Sequence, residues 1–190
     1  MRISGGAARG VPLLVPRGDA VRPATDALRQ AVFSSLALRV PGARFLDLFA
    51  GSGAYGLEAL SRGAAGGLFV ERDARAVACL RRNLTAVCKS LGRDEANIGI
   101  LPRDALTAPF DHAAPPDLIF VDPPYEIIET IAPALFARLA LALAARPDAL
   151  VIFELPGELE LAPDGWTPLK RLGKGGRRQP TAAIFRRNET

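Results

Sequence analysis

The stretch Phe45-Leu46-Asp47-Leu48-Phe49, running into Ala50-Gly51-Ser52-Gly53-Ala54-Tyr55-Gly56, constrains the fold more than any other. A short apolar run bounded by glycines reads as a buried strand. The glycines allow a sharp turn, and Tyr55 to Arg62 reads as the helix that follows. A strand, a tight turn and a helix in that order begin a crossover between parallel strands. The alternation then repeats. Strands are expected near 45–49, 67–71, 98–101, 117–121 and 149–154, and helices near 26–38, 55–62, 73–90 and 127–145. This is an α/β pattern built on a mostly parallel, doubly wound sheet. Two further strands, near Thr167 to Leu172 and Thr181 to Phe185, flank a glycine-rich basic turn and predict an antiparallel hairpin, which brings the sheet to seven strands. Residues 1–20 read as a basic arm, with Val11 to Pro16 as a short edge strand. Residues 21–190 read as a single domain, and Thr25 as the N-cap of the first helix.

In such a sheet, ligands bind beyond the carboxyl ends of the strands. Asp122-Pro123-Pro124-Tyr125 follows the apolar run Leu118-Ile119-Phe120-Val121. The prolines lack N–H groups and have a fixed φ, so the loop is stiff. The Asp122 carboxylate and the Pro123 carbonyl can both accept hydrogen bonds from an exocyclic amine, and the Tyr125 ring can stack on the base that bears it. Gly51, Gly53 and Gly56 fit G-x-G-x-x-G, and Glu71 ends the second strand about 20 residues on, where a ribose-binding acid belongs. On those residues a nicotinamide-dependent oxidoreductase stays open. Asp47 argues against it. A carboxylate inside a strand is expensive to bury without a partner, and makes sense facing a cationic or amine-bearing ligand. S-adenosyl-L-methionine offers an α-amino group, a sulfonium, ribose hydroxyls and an adenine, and no phosphate. Asp47 suits its amino-acid end and Glu71 its ribose.

Charge is distributed unevenly. Residues 1–30 hold five arginines and two aspartates, and residues 165–190 hold seven basic residues and one glutamate. The stretch between holds twelve basic and seventeen acidic residues, so an acidic core is flanked by basic ends. That arrangement suits a nucleic acid gripped by the termini. Cys79 and Cys88 lie nine residues apart on one expected helix, on opposite faces, and so read as free thiols. With His112 the only histidine, no Cys/His metal site is expected. The apolar region Ile131 to Ala145 is broken by Pro133 and Arg138 and is too short to span a bilayer. The amino terminus has no signal-like apolar segment, so a cytoplasmic protein is expected.

The chain resembles the bacterial 16S ribosomal RNA guanine-N2 methyltransferases of the RsmD type along nearly its whole length. The similarity rests on Arg2-Ile3-Ser4-Gly5-Gly6 with Arg9-Gly10, on Arg22-Pro23-Ala24-Thr25-Asp26 with Arg29, on Leu46 through Ala64, and on Asp122 to Tyr125. It departs at Val11, Ala24 and Ala27, and in the ending Gly173-Lys174-Gly175-Gly176-Arg177-Arg178-Gln179. The resemblance implies the class I, Rossmann-like methyltransferase fold and S-adenosyl-L-methionine as cofactor. It implies methylation of the N2 amine of guanine 966 in 16S ribosomal RNA, within the small subunit or an assembly intermediate. Asp122, Pro123, Pro124 and Tyr125 are the expected catalytic group. Cofactor contacts are expected from Thr25, Asp47, Phe49, Gly51, Ser52 and Gly53, and from Glu71, Arg72, Asp104, Ala105 and Asp122. RNA contacts are expected from Arg2, Arg9, Arg22 and Arg29, and from Lys174, Arg177 and Arg178. The Asp-Pro-Pro-Tyr motif is shared with DNA adenine methyltransferases, so an adenine-N6 activity is an alternative, although there is no room for a target-recognition domain. A non-catalytic RNA-binding domain on the same fold is another. A monomer is expected.

Overall fold

Seven apolar runs supply the sheet. In the computed structural model, which describes residues 1–16, 26–110 and 115–188, β1 (Arg44–Leu48), β2 (Gly66–Val70), β3 (Ile98–Leu101), β4 (Leu118–Val121) and β5 (Leu150–Pro156) pair in parallel. Two more strands, β6 (Trp166–Leu172) and β7 (Pro180–Arg187), form an antiparallel hairpin, and β7 joins the sheet antiparallel to β5. The order is β3-β2-β1-β4-β5-β7-β6. Among the described residues, four α-helices, α1 (Asp26–Ser35), α2 (Ala54–Ser61), α3 (Ala74–Leu91) and α4 (Ile128–Ala142), flank the sheet. The Asp73 carboxylate accepts from the Ala76 N–H at the start of α3, and Gly92 ends that helix with φ 63°.

Strand alternation divides the interior into two cores. Phe45, Phe69, Phe120 and Ile152 face one way, against α1, α2 and α3. Leu46, Val121, Val151 and Phe153 face the other way, against α4. The period-2 rule then fixes three further side chains. Asp47, Asp122 and Glu154 share the parity of Phe45, Phe120 and Ile152, so they lie on the α1–α3 face. The chain winds one way from β1 through β2 to β3 and the other way from β4 to β5. The crevice between the ends of β1 and β4 is therefore the topological switch point, where open α/β sheets bind ligands.

Two expectations are corrected here. Val11 to Pro16 does not form an edge strand; a single antiparallel bridge joins Arg2 to Pro12. Pro12 and Pro16 have no N–H to give to a ladder, and the segment folds on itself instead, with Ile3 N–H to Val11 O (2.9 Å) and Leu13 N–H to Met1 O (3.0 Å). α1 ends at Ser35, three residues early, because Arg39 and Val40 both bond back to Leu36 in a closing turn. The expected N-cap Thr25 lies outside the described residues. Among those residues, no helix is long and apolar enough to cross a membrane.

Candidate active site

The turn after β1 is held open by two unusual backbones. Phe49 has φ 58° and Gly51 φ 54°. A positive φ on a phenylalanine is strained, and such strain clusters where function demands a particular chain path. At Gly51 an added Cβ would meet only the Phe49 carbonyl oxygen, 4.0 Å away, so this face of the turn has room for a ligand. At Gly53 (φ 85°) it would fall 2.3 Å from Leu80, and at Gly56 2.3 Å from Phe69. The first glycine therefore leaves space, and the other two let α2 pack.

Carboxylates clamp this turn from beneath. One Asp47 oxygen accepts the Gly56 N–H at 2.9 Å, which occupies an amide of the first turn of α2. Glu71 accepts Gly51 N–H at 2.8 Å through one oxygen and Asp73 N–H at 2.7 Å through the other. The Ser52 carbonyl accepts from the Asn83 amide at 2.9 Å. Burial pushes the Asp47 carboxyl up to about 8, against the Gly56 hydrogen bond, with Glu71 adding repulsion. Arg72 and Asp104 meet in an ion pair of 2.7 Å between the ends of β2 and β3. The Leu106 N–H first, and Arg72 after it, hold Asp104 below the ordinary carboxylate range. Ala105 beside it is buried.

Asp122 follows β4, half-buried, with its N–H directed at Leu48 O (3.4 Å). Pro123 is buried, Pro124 exposed, and Tyr125 half-buried at the start of a 3-10 turn, Tyr125–Ile127. No described residue forms an ion pair with Asp122 or donates a hydrogen bond to its carboxylate. Its carboxyl is held well above the ordinary value by burial, then by the negative charges of Glu154 and Asp47. Glu154, on β5, was not among the expected site residues. It is 2% exposed, and its Oε2 accepts the Tyr55 hydroxyl at 2.7 Å. Burial raises its carboxyl to about 7, against hydrogen bonds from Tyr55 and Tyr125 and the positive charge of Arg29. Three carboxylates from β1, β4 and β5 thus converge on one side of the sheet's carboxyl edge.

The expected RNA-binding residues separate. Lys174, Arg177 and Arg178 are exposed on the turn between β6 and β7. That turn sits at the carboxyl end of β5, tied by Gly157 N–H to Gln179 O (2.9 Å) and Arg178 N–H to Glu158 (2.7 Å). It therefore lies at the same edge of the sheet as the loop that follows β4. Arg2 and Arg9 are exposed, but Ala7 and Ala8 on the same arm bond to Ser61 at the far end of α2. Eight helical residues span ~12 Å, so Arg9, next to Ala8, lies toward the end of α2 away from the glycine turn, whereas Arg2 lies nearer that turn: Met1 accepts from Leu13 N–H, and Leu14 bonds to Asn83, which also holds the Ser52 carbonyl. Arg22 lies outside the described residues. Arg29 is a correction: it is fully buried, bonded to Asp26 (2.6 Å) and to the Arg2 carbonyl (2.8 Å), with Glu58 at 3.5 Å. An arginine inside this network cannot reach a phosphate. It anchors the arm and α1 to α2, where Glu58 also receives Ser4 and Arg62.

Comparison with known proteins places the chain in a family and a fold. Residues 1–178 match the model of the family described as Conserved hypothetical protein 95. The chain is 39% identical over 125 residues to the Ribosomal RNA small subunit methyltransferase D of Escherichia coli; that match covers 66% of this chain and 60% of the relative's length. A solved Escherichia coli structure, yhhF, provisionally described as a methyltransferase, superimposes with a TM-score of 0.77 at 29% identity, covering 99% of this chain and 98% of that one. A more distant structure, provisionally described as a methyltransferase and complexed with SAH, shares the fold at 15% identity and a TM-score of 0.62, covering 84% of this chain and 48% of that one. The architecture is the class I methyltransferase fold.

Proposed function

The chain belongs to the RsmD family, and we propose that it transfers a methyl group from S-adenosyl-L-methionine to the N2 amine of a guanine in 16S ribosomal RNA. Guanine 966 is the nucleotide that the family resemblance implies. The observation that carries the proposal is the convergence of Asp47, Asp122 and Glu154 beside a glycine turn at the switch point of the sheet. Carboxyl groups that ionise beside a cation favour a sulfonium and an ammonium over a pyrophosphate. The same cluster disfavours the dinucleotide reading of the glycines.

The residues present fit such a cofactor. Gly51 leaves open space at the turn, Asp47 suits the amino-acid end, and Glu71 keeps lone pairs for ribose hydroxyls after accepting two backbone N–H groups. The Arg72–Asp104 pair and Ala105 form the side toward which an adenine would lie. When bound, the cofactor supplies an electrophilic methyl on sulfur. The chain does the rest. A guanine N2 lone pair is delocalised into the ring and nucleophilically weak. The Asp122 carboxylate and the Pro123 carbonyl accept its two N–H groups, which favours a pyramidal nitrogen with a localised lone pair. Asp122 then faces the positive charge that develops on nitrogen, a contribution of about 2.7–4 kcal/mol when such a preorganised group is removed. It receives the proton as the N–H bond breaks. Tyr125 supplies a ring for the extruded base, whose unstacking costs a few kcal/mol.

The test is mass mapping of 16S ribosomal RNA from cells with and without the gene, together with methyl incorporation from labelled cofactor by the purified protein. Loss of one N2-methylguanine in the deletion strain supports the proposal. Unchanged modification overturns it. Calorimetry with S-adenosylmethionine and with NAD separates the methyltransferase from the oxidoreductase reading.

A further inference from the structure

Glu154 adds to the acidity of the crevice, but takes no part in the transfer step as derived above, although it is buried among the residues that perform it. The strand Val151-Ile152-Phe153-Glu154-Leu155 is otherwise apolar, and a carboxylate there is costly unless its partners repay the lost water. Two hydroxyls reach it. Tyr55, from the first turn of α2, donates at 2.7 Å, and the Tyr125 hydroxyl, from the loop after β4, is near enough to hold the Glu154 carboxyl down. Tyr55 is itself fixed, with its ring stacked on Phe120 of β4 at 5.4 Å between centroids. Val121 pairs with Phe153, so Asp122 and Glu154 come next in register, side by side on the same face. A glutamine could accept both hydroxyls. What a glutamate adds is a charge facing Asp122.

We propose that Glu154 is a positioning residue for methyl transfer: its carboxylate ties the catalytic-loop Tyr125 to Tyr55 of the cofactor-side helix, and it repels the carboxylate of Asp122. This rests on the function proposed above. The tie gives Tyr125 one orientation, which a stacking ring needs if the base is to approach at a fixed angle. The repulsion keeps Asp122 avid for a proton or a cation, the state suited to taking a proton from a methylated amine. Among the described residues, the charged and titratable groups facing Glu154 are Asp122 after β4, Tyr55 from α2, Arg29 from α1 and Tyr125 from the loop, with Asp47 from β1 on the far side of Asp122; β7 presents Ala182. Arg29 is the one cation among them and also serves Glu58, so it does not cancel the repulsion between Glu154 and Asp122.

Two variants of the full chain separate the two parts. Glu154→Gln keeps an acceptor for both hydroxyls and removes the charge. With a negative neighbour gone, Asp122 ionises more easily, so the acidic limb of the kcat–pH profile moves to lower pH while the plateau stays within about threefold. Glu154→Leu removes the tie. It lowers kcat about tenfold or more with a smaller change in the KM for ribosomal RNA, and Tyr125→Phe added to it costs nothing further, because both changes break the same hydrogen bond. A Glu154→Gln profile that superimposes on that of the wild type overturns the electrostatic part. A Glu154→Leu variant with wild-type kcat, or a Tyr125→Phe effect that multiplies with it, overturns the tie. Glu154→Gln is nearly isosteric, so its profile decides the charge question in a folded protein. A wild-type protein that transfers no methyl group to guanine N2 refutes the proposed function instead, and is read in the same assay.

Discussion

The two halves of the crevice hold their carboxylates in opposite ways. On the β1–β2 side, Asp47 and Glu71 are satisfied by backbone: Gly56 on one, Gly51 and Asp73 on the other. On the β4–β5 side, Asp122 takes no hydrogen bond from the described residues, and Glu154 takes only side-chain hydroxyls. A carboxylate fixed by amides is part of the scaffold, and holds a turn in the shape a ligand needs. A carboxylate left with free lone pairs is available to a substrate. Glu71 and Asp122 are both acids at the ends of parallel strands, yet substitutions at them should fail differently.

The largest effect is expected at Asp122. Asp122→Ala should cut turnover by about 10²–10³-fold, the usual loss when a preorganised transition-state group is removed, while cofactor affinity by calorimetry stays close to that of the wild type. If affinity fell as far as turnover, the two halves would be one site energetically. Glu71→Ala should do the reverse. It should weaken cofactor binding by ~1.5–3 kcal/mol, the scale of a hydrogen bond to a charged group. It should also loosen the Gly51 turn, which hydrogen exchange at that amide would register. Unchanged affinity would leave Glu71 a purely structural clamp.

These contrasts were only partly legible in the chain. The strand–turn–helix of residues 45–62 and the Asp122 loop are local patterns, and local patterns survive into structure. Glu154 is written just as plainly, as one acid in an apolar strand with the parity of Asp122. Its meaning depends on Tyr55, 99 residues away, and on which strands are neighbours. Arg29 misled for the complementary reason. Arginine is almost never fully buried unless paired, and its interior partner Glu58 is supplied by a helix 29 positions on. The hairpin turn was readable from its glycines, but nothing local places it at the carboxyl end of β5 rather than the opposite edge.

Asp47 offers a test of cost. Its carboxyl is raised by burial to about 8 in the folded chain, against an ordinary value of 3.8. The folded protein therefore holds this proton more tightly than the unfolded chain does. Stability from that preference is complete below the ordinary value and is lost as pH rises through the shifted one. Asp47→Asn keeps an acceptor for Gly56 and cannot ionise, so it escapes the loss. In thermal melts without cofactor, its advantage over the wild type should grow between about pH 4 and 8. Melting curves that differ by a constant amount across this window would mean that Asp47 is not protonated at neutral pH. The same variant should bind the cofactor more weakly, since an asparagine cannot ionise to face the cationic ligand.

The smallest effect concerns what lies beside the β4–β5 half. The turn carrying Lys174, Arg177 and Arg178 is fastened to Gly157 and Glu158, three to four residues beyond Glu154. Its charges can touch RNA phosphate without touching the β1–β2 side. Replacing all three with alanine should lower the slope of log affinity against log salt by up to ~2, at about 0.7 for each single-strand phosphate that is no longer neutralised. Cofactor affinity should not move. Replacing Arg9, whose neighbour Ala8 bonds to Ser61 at the far end of α2, gives the matched control. If the Arg9 change alters the slope and the turn triple does not, the RNA approaches from the far end of α2, and the β4–β5 half meets its base without help from the hairpin.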